Sequence, residues 1–254
     1  MKVKRIFLTP HTMVLLCAML VSFHAHAQCE APAQDRVMWE GCNMAGADLS
    51  GASLRHAVMT RMNLDGAKFE KALIDDADMG YSSLQKANLR NARANNIRLI
   101  GADLQHADLN GARMNYARLD RANFSAATLK GTQLTEARMY NTNFHKAQLQ
   151  QANLTGALME QTDLGQADLG KAILDKAELI KANLEGASLK DASLQKAKLS
   201  NANLSDTDFT NTNLSGADLH GADITNARFD NAILDNAIWV NRKRCRPGSV
   251  GECK

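Results

Sequence analysis

Proline is scarce in this chain. Pro10, Pro32 and Pro247 are the only three in 254 residues, and none lies between Cys42 and Asn241. So long a stretch without proline fits a backbone whose amides are needed in inter-strand ladders. Aromatic residues make up 5 % of the chain, so any core must be mainly aliphatic. The longest apolar run, Met13 to Phe23, is eleven residues, against the ~20 that a spanning helix needs. There is no glycine-rich phosphate loop, nucleophile elbow or HExxH motif, which removes the common signatures of nucleotide, acyl-transfer and zinc-protease chemistry. The chain reads as a non-enzyme with no cofactor and no metal.

What is present is a repeat. From Met44 to Trp239 a large apolar residue recurs at every fifth position: Met44, Leu49, Leu54, Met59, Leu64, Phe69 and onward to Ile224, Phe229, Leu234, Trp239. Only Ala94 among the forty is small. Two residues before each stands a small side chain, usually alanine, with Thr132, Thr142, Thr162, Thr207 and Thr212 as substitutes and Met62 and Ile97 as bulky exceptions. A period of five fits no helix, where fifth residues fall about 140° apart, and no flat strand, where they alternate between faces. It fits a chain that turns in one sense every five residues, so that large and small residues both return to a common axis. Fixed short repeats of this kind mark solenoids, in which stacked units share a continuous core.

Runs such as Ala102-Asp103-Leu104-Gln105-His106, Ala107-Asp108-Leu109-Asn110-Gly111 and Ala202-Asn203-Leu204-Ser205-Asp206 resemble the A-(D/N)-L-x-x pattern of the pentapeptide-repeat family. The resemblance implies an all-β fold, a right-handed quadrilateral β-helix of about ten coils with four pentapeptides each. Its length would be about 48 Å at the roughly 4.8 Å spacing of paired strands. It also implies that residues twenty apart stack, placing Phe124 on Phe144, Phe209 on Phe229 and Met59 on Met79. Ala94 and Ile97 are the weak point, where a local bulge or mutual compensation is expected. The aspartates at 103, 108, 163, 168, 218 and 223 fall just before the large residue, where a short acceptor can bond the turning backbone.

The first 27 residues read as a secretory signal: Lys2, Lys4 and Arg5, then the apolar run, then Ala25-His26-Ala27, with cleavage before Gln28. The expected compartment is the periplasm or the extracellular space, with no transmembrane segment in the mature chain. Losing three basic residues from 30 leaves 27, equal to the 27 acidic ones, and a neutral chain is not expected to bind nucleic acid. Residues 28–41 then form an N-terminal cap segment, 42–241 the repeat array and 242–254 a disulfide-closed tail. Cys29 and Cys42 lie at one end of the array and Cys245 and Cys253 at the other. A span of about 48 Å cannot be bridged by a disulfide, so Cys29 is paired with Cys42 and Cys245 with Cys253. Export favours their oxidation.

Two surface features stand above background. Arg98, Arg118 and Arg138 are twenty apart and form a column beside Arg61 and Arg121, with Tyr81 and Tyr140 interleaved; Arg93 and Arg113 fall on the neighbouring face. This is a candidate strip for an unknown protein or an anionic envelope component. Ile233, Ile238 and Val240 occupy outward slots around Trp239, a candidate homodimer patch unless the tail packs over them. His56, His106, His145 and His220 differ in their place in the cycle and do not stack into a metal site. The reading is an exported scaffold or interaction module. The resemblance also raises an alternative, a DNA-mimicking protector of topoisomerases, which export and neutral mature charge disfavour.

Overall fold

The structure, a computed structural model, describes residues 29–254. The leader read over residues 1–27 lies outside them. Parallel bridges join residues twenty apart in an unbroken series, from Met38↔Val58 to Asp218↔Ile238. The chain therefore comes back beside itself after every four pentapeptides, a β-helix without long strands. Among the described residues, no helix is long and apolar enough to cross a membrane.

Each pentapeptide contributes one bridged residue, one inward pair and one corner. The ladder runs both ways: Leu104 N donates to Asn123 O at 2.7 Å, and Asn123 N donates to Ala102 O at 2.9 Å. At the corner, Ala107 N donates to Leu104 O at 3.1 Å, closing a β-turn whose second central residue is left-handed. Positive φ recurs at every fifth residue from Arg36 to Asn236, forty-one corners in all. Eleven are glycine and eight asparagine, and none is valine, isoleucine or threonine. Branching at Cβ makes a left-handed backbone hardest to hold. The other corner residues carry strain on the order of 1 kcal/mol each, which ladder bonds on both sides offset.

The core is one continuous stack. Central residues such as Leu104, Met114, Leu134 and Leu174 are completely buried, as are the alanines beside them. Phe124 lies on Phe144 with ring centroids 4.9 Å apart, and Phe209 on Phe229 at 5.0 Å, the separation of hydrogen-bonded strands. Met59 and Met79 are both buried. The threonines of the small slot bring no orphan hydroxyl inside. Thr132, Thr142 and Thr162 donate to the carbonyls of Leu109, Leu119 and Met139 at 2.9, 2.8 and 2.7 Å, each twenty-three residues earlier. Buried hydroxyls are tolerated only when bonded in this way.

Ala94 and Ile97 produce no bulge. Arg93 and Arg98, on either side, keep their bridges to Arg113 and Arg118, and both residues are buried. The small residue in the large slot and the large one in the small slot compensate; the turn bond from Ile97 N to Ala94 O, 3.3 Å, is no longer than those at Ser82 and Thr142.

The ends differ from the interior. Upstream, the coil register continues past Cys42: Trp39 takes a central slot, 2 % exposed, and its amide donates to Val58 O at 2.7 Å. The segment read from sequence as a lead-in is thus partly coil. Cys29 and Cys42 are bonded, with Cα atoms 5.6 Å apart, and Trp39 Nε1 donates to Ala31 O. Downstream, the tail reverses. Val250 and Arg244 make antiparallel bridges to Ile233 and Ile238, and the Cys245–Cys253 bond, Cα atoms 4.9 Å apart, closes the flap.

Candidate functional site

Arg98, Arg118 and Arg138 hold bridged positions in consecutive turns, paired to one another through the backbone. Their amides donate to Ala77, Ile97 and Ala117 carbonyls at 2.9, 2.8 and 2.8 Å. The ladder fixes each Cα, and the side chains point outward because the small and large residues on either side point in.

The three guanidinium groups are not equivalent. Arg98 Nε lies 3.2 Å from Asp78 Oδ2, and an Arg138 nitrogen lies 3.1 Å from Asp120 Oδ2. Arg118, between them, has no carboxylate within ion-pair distance among the described residues, and its Nε is buried without an acceptor. Arg61 pairs with Glu40 at 3.2 Å. Arg121, at the corner below Arg118, is exposed and makes no ion pair among the described residues. Of the strip read from sequence, positive charge is therefore neutralised at its two ends and open in the middle. Glu160 makes no ion pair with the column among the described residues; Asp78 and Glu40 supply the neutralisation that sequence reading missed. Asp78 stands twenty residues before Arg98, so the repeat period could have found it.

The two tyrosines flank the column. Tyr81 is 64 % exposed, and its ring lies over Gly101: a Cβ built on that left-handed glycine would meet Cδ1 and Cε1 at 2.8 Å. Tyr140 donates its hydroxyl to Gln161 Oε1 at 3.0 Å. Two shallow hollows result, one bounded by Arg61, Asp78, Tyr81 and Arg98, the other by Asp120, Arg121, Arg138 and Tyr140, with Ile100 common to both. Arg93 and Arg113 bridge each other on the neighbouring face, Arg93 pairing with Asp75 at 3.3 Å.

Elsewhere the polar groups serve the fold. Asp103, Asp108, Asp163, Asp168, Asp218 and Asp223 each accept the amide two residues on, at 2.9–3.1 Å. Asp223 is held below its usual 3.8 by the Thr225 hydroxyl and then the Thr225 amide. At Asp208 burial pushes upward, but bonds from Thr210 and Lys190 outweigh it and the carboxyl is lowered. His220 Nδ1 lies 2.8 Å from Asp218 Oδ1. Among the described residues, no three His, Cys, Asp or Glu side chains gather as a metal ion would require.

The second candidate surface is altered by the tail. The flap takes up the backbone edge at Ile233 and Ile238, leaving Ile238 and Val240 half-buried. Ile233 stays 38 % exposed beside Val250 at 48 %.

Comparison with known proteins identifies the repeat. The family described as pentapeptide repeats matches in eight copies across residues 42–80, 82–115, 117–156, 152–191, 187–226 and 202–238. No curated protein matches. Among solved structures the chain is similar to HetL, a pentapeptide repeat protein involved in heterocyst differentiation regulation from the cyanobacterium Nostoc sp. strain PCC 7120. The identity is 27 %, over 88 % of this chain and 97 % of that one, with a TM-score of 0.36. It is similar also to QnrB1, a plasmid-mediated fluoroquinolone resistance protein, at 15 % identity over 77 % and 91 % of the two chains and a TM-score of 0.43. A third is Rfr23 from the cyanobacterium Cyanothece 51142, at 21 % identity over 61 % and 96 % and a TM-score of 0.33.

Proposed function

The chain belongs to the pentapeptide-repeat family, and from that premise we propose that it is a non-enzymatic interaction scaffold exported to the cell envelope or beyond. We take its array as about ten right-handed coils, capped at both ends, offering flat faces on which side chains stand at a fixed pitch. The observation that carries this reading is the column Arg98–Arg118–Arg138, held by ladder bonds on a rigid face and left with open positive charge at its centre. A face of this kind suits recognition by many weak contacts rather than the enclosed, water-poor site that catalysis uses. Two disulfides support export, since such bonds persist in oxidising compartments. The leader-like first 27 residues and the balance of 27 acidic against 27 basic side chains once they are removed support it as well. The partner is then a protein or an anionic envelope component rather than nucleic acid, and self-association through the C-terminal end is a subsidiary proposal.

The test is fractionation followed by capture. Recovery from the periplasm or medium with Gln28 as the first residue, and specific capture of an envelope component by that protein, would support the reading. Recovery from the cytosol with residues 1–27 retained would contradict it, and would favour topoisomerase protection, the activity that the family resemblance raises.

A further inference from the structure

Arg118 is out of keeping with its surroundings. Guanidinium groups above and below it each have a carboxylate, while its own Nε is buried with no acceptor among the described residues. The buried Nε holds the group in place without an acceptor, and the outer nitrogens, which are not buried, have no hydrogen-bond or ion-pair partner among the described residues and are free to take one from outside. What flanks Arg118 indicates which partner. On either side lies a hollow combining an exposed tyrosine face, an arginine pair and one aspartate: Tyr81 with Arg61, Arg98 and Asp78, and Tyr140 with Arg121, Arg138 and Asp120. The two rings are three coils apart less one residue, roughly 14 Å at the spacing of paired strands.

We propose that this face binds an acidic polysaccharide, with a sugar carboxylate seated on the outer guanidinium nitrogens of Arg118 and neighbouring sugar rings lying against Tyr81 and Tyr140. Arginine presents a planar fork that matches a carboxylate with two parallel bonds. Aromatic faces supply flat apolar area for the C–H faces of a pyranose. Asp78 and Asp120 already accept Gly80 N and Tyr140 N and pair with Arg98 and Arg138; their remaining lone pairs can accept from sugar hydroxyls, whereas against a phosphodiester backbone they would only repel. An acidic peptide would use the arginines but has no general use for the aspartates beside them. The mixture of charges, rather than a wholly basic strip, thus selects a hydroxyl-rich polyanion. The inference rests on the reading of the chain as an interaction module and narrows it to one face and one chemistry.

The test uses the protein as purified from the cell and four probes: oligogalacturonate, neutral dextran, poly-glutamate and oligothymidylate, each titrated calorimetrically at two salt concentrations. Oligogalacturonate is expected to bind best, dextran not at all. Arg118→Gln is expected to weaken binding by about tenfold to a hundredfold, the value of a charge-assisted hydrogen-bond pair. Arg118→Lys, which keeps the charge and the packed stem, should fall between. Tyr140→Ala should weaken binding without changing its salt dependence, since it removes area and no charge. Equal or tighter binding of poly-glutamate or oligothymidylate would overturn the proposal in favour of an acidic protein or a nucleic acid. So would unchanged affinity in Arg118→Gln or no binding of oligogalacturonate. Capture of the same envelope component by wild type and Arg118→Gln would leave the scaffold reading standing and remove this one.

Discussion

At the C-terminal end the last coil is partly covered by chain running the opposite way, whereas at the N-terminal end the first coil is continued by chain running the same way. The C-terminal flap pairs Leu234 with Ser249, Ala237 with Cys245 and Ala232 with Gly251 through the backbone, so on those sides of the last coil the parallel edge is taken up, while Ile224 and Phe229 on the other sides stay partly buried. The N-terminal segment stays in register, with Trp39 above Met59 and the Cys29–Cys42 bond beside it, yet Met44, Ala47 and Ala52 remain only partly buried. Their interior counterparts, such as Met114 and Ala117, are fully covered. An antiparallel flap closes the part of an edge that it pairs; an in-register lead-in extends the core.

The largest effect expected from this comparison separates the interior from the open end. Leu134→Ala, in the middle of the stack, should cost about 2–5 kcal/mol in urea unfolding, while Met44→Ala near the N-terminal end should cost less, about 1–2 kcal/mol, because part of its side chain stays in water and the site can relax. Equal losses would mean that the first coil is as well covered as the middle of the stack. Next in size are the two disulfides. Replacing either pair with serine should lower stability by about 3 kcal/mol, the entropy of closing loops of this length. Only Cys245→Ser with Cys253→Ser should add concentration-dependent self-association, visible in sedimentation, because only that pair holds a flap over an edge. A bonded, monomeric protein would at the same time remove the dimer proposed through Ile233, Ile238 and Val240.

Smaller effects probe the interior against the surface. Thr162→Val should cost about 1 kcal/mol, since it leaves the Met139 carbonyl with one bond fewer. The smallest is a pH effect at a corner. Asp208 is lowered in the folded chain, so the unfolded chain binds more protons near the usual 3.8. Stability from this group is present above that value and is lost as pH falls through the lower folded one. Asp208→Asn should flatten that part of the acid-unfolding curve; an unchanged curve would mean that the Thr210 and Lys190 bonds carry no net stabilisation.

Much of the molecule was legible in sequence because one period governs it. The inward slots and the aspartate bonds at the corners follow from spacing, and the stacking of Phe124 on Phe144 from spacing together with the four pentapeptides per coil that the family resemblance implies. The left-handed corner was equally present, written as the absence of β-branched residues at every fifth position from Arg36 to Asn236, but an absence is harder to see than a leucine. The upstream start was hidden because Gln34 fills the central slot where an apolar residue would have signalled a coil. The reversed tail carries no period at all. At the arginine column, spacing supplied the alignment but not the charge balance. Asp78 pairs along the column and Asp120 across a corner, and only three dimensions show that Arg118 is the one left over.

The central claim is that the chain returns beside itself every twenty residues. Spin labels at Asn91→Cys and Asn211→Cys, both on exposed corners of one column, test it in a single pulsed dipolar measurement. Six coils at the spacing of paired strands place the two backbones roughly 29 Å apart, with one narrow distance distribution. A coil of fifteen residues would put eight turns between them and a mean near about 38 Å, and that value, or a broad distribution, would contradict the account.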